Sequence, residues 1–171
     1  MFTKTGYFLT VPAALAMLSA IAAIADPASR QQAPLEATSV TCTGLKTIEV
    51  VNYAGIIETH SDTYVDVPFA IARFITKKPG CVLVTFSAPV KSDGNYVSVQ
   101  IVMNSLTCLP STETPNIFAV SDRFDVYANS MTYICPDVPI SKKVLKAQWK
   151  FAHTGGDSAY LYGFTMTVAH R

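Results

Sequence analysis

Four cysteines are the residues of this chain with the most definite chemistry: Cys42, Cys81, Cys108 and Cys135. Structural zinc needs ligands two to four residues apart on a turn. These cysteines have no CxxC and no histidine beside them, so no metal centre is expected. An even cysteine count in an oxidising compartment points to two disulfides, with three connectivities open. The histidines, His60, His153 and His170, are scattered and form neither HExxH nor HxH. No GxSxG elbow occurs, and no SxxK follows residue 25, so no activated nucleophile is legible. Glu49, Glu58, Asp62 and Asp66 supply carboxylates for a glycosidase pair, but their spacing matches that of ordinary solvated acids. Asp122, Asp125 and Asp157 sit in or beside loops that could offer oxygen ligands to calcium, without an EF-hand pattern. No catalytic residue and no cofactor is expected.

Ligand contacts are expected instead from tyrosines, whose rings stack on the apolar faces of sugars while the hydroxyl hydrogen-bonds. Tyr160 and Tyr162 alternate on one strand with Phe164 and are expected to share its face. Tyr96, Tyr127 and Tyr133 fall on other strands. Tyr96, Tyr160 and Tyr162, with Asp93 and Asp157 in loops, form the candidate contact set.

The elements that must position these residues read as strands. Residues 1–25 read as an export signal: Lys4 supplies the positive start, an apolar run follows, and Ala23-Ile24-Ala25 is a small-residue cleavage site. Pro12 and that site favour cleavage over a retained membrane anchor, so no membrane span is expected in the exported protein. Residues 26–39 are polar and punctuated by proline, a loose mature N-terminus. Residues 40–171 are expected to form one β-sandwich domain in a secreted or periplasmic protein. Lys4 is the only charge in the leader, so the exported chain carries no net charge and no electrostatic footprint for nucleic acid.

Short segments rich in Val, Ile, Thr, Tyr and Phe run to the end, separated by turn residues. Strands are expected at 46–53, at 63–76 with an interruption at Pro68, and, after the Lys77-Lys78-Pro79-Gly80 turn, at 81–90. The last, CVLVTFSAPV, is apolar at nearly every position, as for a strand covered on both faces. Residues 96–104 alternate, with Tyr96, Ser98, Gln100 and Val102 on one face and Val97, Val99, Ile101 and Met103 on the other. Residues 108–116 read as a loop, and further strands are expected at 124–135, 143–153 and 159–170. In 143–153, Leu145, Ala147, Trp149 and Phe151 share the core face. About eight strands without a helix fit an all-β, two-sheet antiparallel sandwich of jelly-roll type. An immunoglobulin-like sandwich is the alternative, weakened because Trp149 follows every cysteine.

The run Pro79-Gly80-Cys81-Val82-Leu83-Val84-Thr85-Phe86-Ser87-Ala88 resembles a pattern of small secreted bacterial proteins of unknown function. So do Gln148-Trp149-Lys150, Gly155-Gly156 and Phe164-Thr165-Met166-Thr167-Val168, in the same order. The resemblance implies a jelly-roll sandwich and a bacterial source, and carries over no catalytic residue. The sequence thus points to an exported, non-catalytic module that binds a surface glycan or envelope component, or associates with itself as a homo-oligomer. A small secreted hydrolase using carboxylates is the competing class.

Overall fold

The computed structural model describes residues 42–93, 96–110, 117–120, 125–152 and 157–171. The expected leader, the 26–39 segment, Asp122, His153 and the turn residues Gly94, Asn95, Gly155 and Gly156 lie outside the described residues.

The strands are β1 (Thr47–Thr59), β2 (Val65–Ile75), β3 (Gly80–Ser92), β4 (Tyr96–Met103), β5 (Leu106–Thr107), β6 (Ile117–Val120), β7 (Tyr127–Val138), β8 (Lys142–Phe151) and β9 (Ala159–His170). One sheet has the order β1-β9-β3-β7. The second has the order β2-β8-β4-β5, with β6 also paired to β4. Every pairing is antiparallel, and β1 meets β9, β2 meets β8, β3 meets β7 and β4 meets β6. Such nested pairing is a single long hairpin rolled over on itself, which is the jelly roll, and it leaves no room for the immunoglobulin order.

Alternation sorts the side chains. On β8, Leu145, Ala147, Trp149 and Phe151 point inward, while Lys146, Gln148 and Lys150 stay half-buried outside. β3 departs from expectation. It is central, flanked by β9 and β7, yet only alternate residues from Val82 to Ser92 (Val82, Val84, Phe86, Ala88, Val90 and Ser92) are buried, and its other face is half-exposed. Its outward Leu83, Thr85, Ser87 and Pro89 belong to a sheet surface that no other layer of the described structure covers. β4 departs in the opposite sense, because Ser98 and Gln100 on its polar face are buried as well. Gln100 joins a network: its Nε2 donates to Gln148 Oε1 at 2.7 Å, and Gln148 Nε2 donates to Asp66 Oδ1 at 2.8 Å. Lys146 Nζ donates to Asp66 Oδ2 at 2.6 Å. The hydrogen bonds from Lys146 and then Gln148 hold the Asp66 carboxyl below the usual carboxylate range.

A line of rings runs from exposed Phe69 of β2 through the first sheet and the core to β6. Phe69 stacks on Tyr53 (4.9 Å between centroids), Tyr53 on Phe164 (5.8 Å), and Phe164 on Phe86 (5.5 Å). Phe86 then meets Phe118 of β6 edge-on at 5.5 Å. Buried Tyr133 of β7 donates its hydroxyl to the Val99 carbonyl of β4 at 2.9 Å, a direct tie between the sheets. Burial pushes this phenol above its ordinary value.

Both disulfides are present, as Cys42–Cys81 and Cys108–Cys135. The second fastens the strap after β5 to β7, where Leu109 and Ile134 exchange backbone hydrogen bonds of 2.7 and 2.8 Å. β6, a four-residue strand, was not expected in the sequence, and β1 runs six residues further than the 46–53 reading.

Candidate functional site

Strand register writes the outer face of the first sheet in rows. Asn52, Thr165, Ser87 and Ser130 lie side by side across four strands, and Val50, Thr167, Thr85 and Thr132 form the next row. Their hydroxyls meet across β3 and β7: Ser87 Oγ and Ser130 Oγ are 2.7 Å apart, and Thr85 Oγ1 and Thr132 Oγ1 are 3.2 Å apart. Such cross-strand hydroxyl pairs stabilise a solvated sheet face without charge.

A glycine sets what comes next. Gly163 has φ of 78°, and a Cβ there would stand 2.7 Å from the Tyr53 carbonyl oxygen. Only glycine fits so close an approach in the left-handed region. The pairing of β9 with both neighbours shifts here, between Tyr53 and Ile56 on one side and between Ser87 and Val90 on the other. A one-residue slip reverses the faces. Tyr160 and Tyr162 therefore point outward while Phe164 is buried, which corrects the expectation that all three share a face. The irregularity opens a shallow groove of about 480 Å³, in which Tyr162, Asn52, Ser87, Asn129 and Thr165 present polar groups around Gly163. Among the described residues no lysine, arginine, aspartate or glutamate lines it.

Beyond Tyr162 the face ends in a polar cluster. Tyr160 is paired with Glu58 on β1 and Lys91 on β3. Asp93 and Asp157, distant in sequence, come to this same place, but they fasten loops. The Asp93 N–H donates to the Ser158 carbonyl at 3.2 Å, and the Ser158 N–H returns a bond to Asp93 Oδ2 at 3.3 Å. His60 Nδ1 lies 3.2 Å from the Asp157 carbonyl and 3.1 Å from Ser158 Oγ, and its Nε2 lies 3.2 Å from Glu58 Oε1.

Serine, histidine and glutamate in contact have the composition of a nucleophile, a base and its orienting acid. The hydrogen bonds point elsewhere. A carbonyl only accepts, so on this assignment Nδ1 carries its proton toward Asp157 and offers no lone pair to Ser158. A hydrogen bond from Ser158, then one from Tyr160 and the charge of His60, hold the Glu58 carboxyl below its usual range. The imidazole is also 63% exposed. The cluster is a loop clasp. Glu58 and Asp66 make no glycosidase pair either: they lie on different sheets, and both are shifted downward, whereas a general acid must be held protonated. Among the described residues no three His, Cys, Asp or Glu side chains converge as a metal site.

Tyr96 stands apart from Tyr160 and Tyr162, on β4 of the second sheet. Tyr127 is exposed on β7, with its hydroxyl 3.3 Å from Asp125 Oδ2, and Tyr133 is in the core. Asn52, Ser87, Asn129 and Thr165 escaped sequence reasoning, because nothing but register across three strands identifies them as neighbours of Tyr162. His60 and Ser158 escaped it for the same reason.

No protein-family model matches the chain, and no curated protein sequence matches it. Among solved structures it is similar to the infectious bursal disease virus VP2 subviral particle, at 10% identity and a TM-score of 0.49. That match covers 80% of this chain and 36% of the VP2 chain. VP2 of the Gt strain gives 12% identity over 80% of this chain and 35% of that one, with a TM-score of 0.45. Dimeric latent PorU from Porphyromonas gingivalis gives 11% identity and a TM-score of 0.38, over 77% of this chain and 14% of PorU. The chain thus spans little more than a third of the VP2 chains it matches.

Proposed function

We propose that this protein is an exported, non-catalytic binding module that holds a neutral glycan of the cell envelope in the groove beside Tyr162. The observation that carries this reading is a groove edged by a tyrosine, furnished with side-chain amides and hydroxyls, and free of charge. An aromatic ring offers an apolar surface to the C–H face of a sugar, and amides and hydroxyls both donate and accept, as sugar hydroxyls require. Two disulfides suit an oxidising compartment, in keeping with the expected leader. The resemblance to secreted bacterial sandwiches makes a bacterial envelope the first source of ligands to try.

The test is retention of the oxidised protein on immobilised envelope polysaccharides. Tyr162→Ala is expected to weaken retention about tenfold, the effect of losing roughly 1.4 kcal/mol of stacking, while Leu106→Ala, an exposed residue on β5 of the second sheet, leaves it unchanged. Equal retention of the Tyr162 variant and the parent would overturn the groove assignment, and release of cleaved products would move the protein to the hydrolase class.

A second reading is self-association along β1. This strand pairs only with β9 among the described residues, and it exposes Ile48 (66%), Val50 (55%) and Ile56 (64%). A long, apolar edge strand is a template for pairing with another chain. Val50→Lys is expected to convert an oligomer to monomer in sedimentation velocity, and a parent that is monomeric at all concentrations would remove this reading.

A further inference from the structure

Charges that interleave along the sequence divide unevenly between the two ends of the roll, with Lys91 at the acidic end and Asp137 at the basic end as exceptions. Glu58, Asp62, Asp93, Asp125 and Asp157 lie at or beyond the ends of β1, β3 and β8 and ahead of β7 and β9. Lys46, Lys77, Lys78, Lys142 and Arg171 gather at the opposite end, before β1, between β2 and β3, at the start of β8 and after β9. At that end a cleft of about 460 Å³ is lined by Gly44, Lys46, Thr47, Lys77, Lys78 and Arg171. Four of these six carry a positive charge. Among the described residues none of the four forms an ion pair: the acid nearest in sequence, Glu49, lies 3.8 Å from His170 Nε2. Neither Glu49 nor Asp137 lines the cleft.

We infer that this cleft is a binding site for a phosphate-bearing ligand. Like charges held together repel, and side chains on open turns ordinarily spread apart. Here the backbone segments that carry them are tied to one another. Buried Thr76 fixes the Lys77-Lys78 turn: its N–H donates to the Ser141 carbonyl at 3.2 Å, and its hydroxyl donates to the Pro139 carbonyl at 2.7 Å. Thr76 Oγ1 also accepts from the Ser141 N–H at 3.1 Å. The Lys77 N–H donates to the Arg171 main-chain oxygen at 3.0 Å, and the Lys46 N–H donates to the His170 carbonyl at 3.1 Å. Disulfide Cys42–Cys81 ties the remaining wall to the start of β3. Gly44 completes the cradle. A side chain there would overlap the Arg171 guanidinium, whose Nε donates to the Gly44 carbonyl at 3.3 Å. The backbone segments that carry the cations are thus fixed around one cleft, and a compact, multiply charged oxyanion answers them best: an arginine fork and lysine point charges suit phosphate. A lone carboxylate would satisfy fewer of the donors.

The test is calorimetric titration of inorganic phosphate into the oxidised protein at low ionic strength, repeated at higher salt. Saturable binding that weakens with salt is expected. Lys77→Ala with Lys78→Ala should weaken it at least about tenfold, the loss of one or more charge-assisted hydrogen bonds, and so should Arg171→Ala. Lys77→Arg with Lys78→Arg should retain binding, and Lys91→Ala, at the opposite end, should leave it unchanged. Both lysines are exposed on a turn, so circular dichroism should report the parent fold in each variant. Absence of saturation by phosphate, or a double alanine variant that binds like the parent, would overturn the assignment. Two further arms find the phosphate's carrier: phosphatidylcholine vesicles with and without phosphatidic acid, and a soluble sugar phosphate. Capture by either supports the site. The site stands or falls independently of the neutral groove, since the variants of one leave the other intact.

Discussion

Phe86→Ala is expected to destabilise the protein by about 4 kcal/mol, with a melting temperature lower by on the order of 15 °C. Phe86 is fully buried on the central strand β3 and touches the rings of both Phe164 and Phe118. Removing it interrupts the line of five rings that begins at Phe69 of β2 and ends at Phe118 of β6. The cost has two parts: lost transfer of a large apolar side chain, and a cavity that antiparallel strands on both sides cannot close by moving. Phe86→Leu keeps most of the volume and should lose well under half as much. Urea unfolding followed by the fluorescence of Trp149, itself buried in the core, measures both. A Phe86→Ala loss below about 1 kcal/mol would mean that the ring line does not organise this core.

Breaking Cys108–Cys135 by a double serine substitution is expected to cost about 3–4 kcal/mol. The two residues are 27 apart in sequence, so the bridge removes much of the freedom of that loop in the unfolded chain. In the folded protein it seats the strap after β5, whose Leu109 forms a two-bond bridge to Ile134. Denaturant unfolding of the oxidised parent against the variant reads the difference. Equal midpoints would show that the strap is held by its backbone bonds alone. The Cys42–Cys81 pair, 39 apart, belongs to the same range of stability, and its loss should also weaken phosphate binding by releasing Gly44 and Lys46 from the cleft.

Much of the architecture was legible because antiparallel strands with one solvated face announce themselves by alternation. Trp149 and Phe151 against Lys146 and Lys150 is such a case, and the inward half of β4 is another. Errors arose where period two was ambiguous or broken. Near-continuous apolarity in β3 suggested two covered faces, yet Leu83 and Pro89 belong to an open one. Ser98 and Gln100 looked solvated, yet both are buried, and Gln100 joins the Gln100–Gln148–Asp66 network. Counting by twos along β9 placed Phe164 with Tyr160 and Tyr162, and the slip at Gly163 reversed it. Asp93 and Asp157 were expected as ligand contacts in loops, and in the structure the Asp93 carboxylate and the Asp157 carbonyl bond to groups that clasp those loops together.

By itself the sequence determined an all-β sandwich of jelly-roll type, its core-facing residues on β8, and a pair of disulfides, because these follow from local alternation, turn chemistry and an even cysteine count. Tertiary structure alone decided which cysteines join, that Tyr162 opens onto amides and hydroxyls from three other strands, and that four cations from before β1, from the β2–β3 turn and from after β9 face a single cleft. The reason is physical. Strand periodicity is a property of neighbours in the chain, whereas a site is a property of register between strands. In a rolled hairpin, register brings together residues as far apart as Lys46 and Arg171.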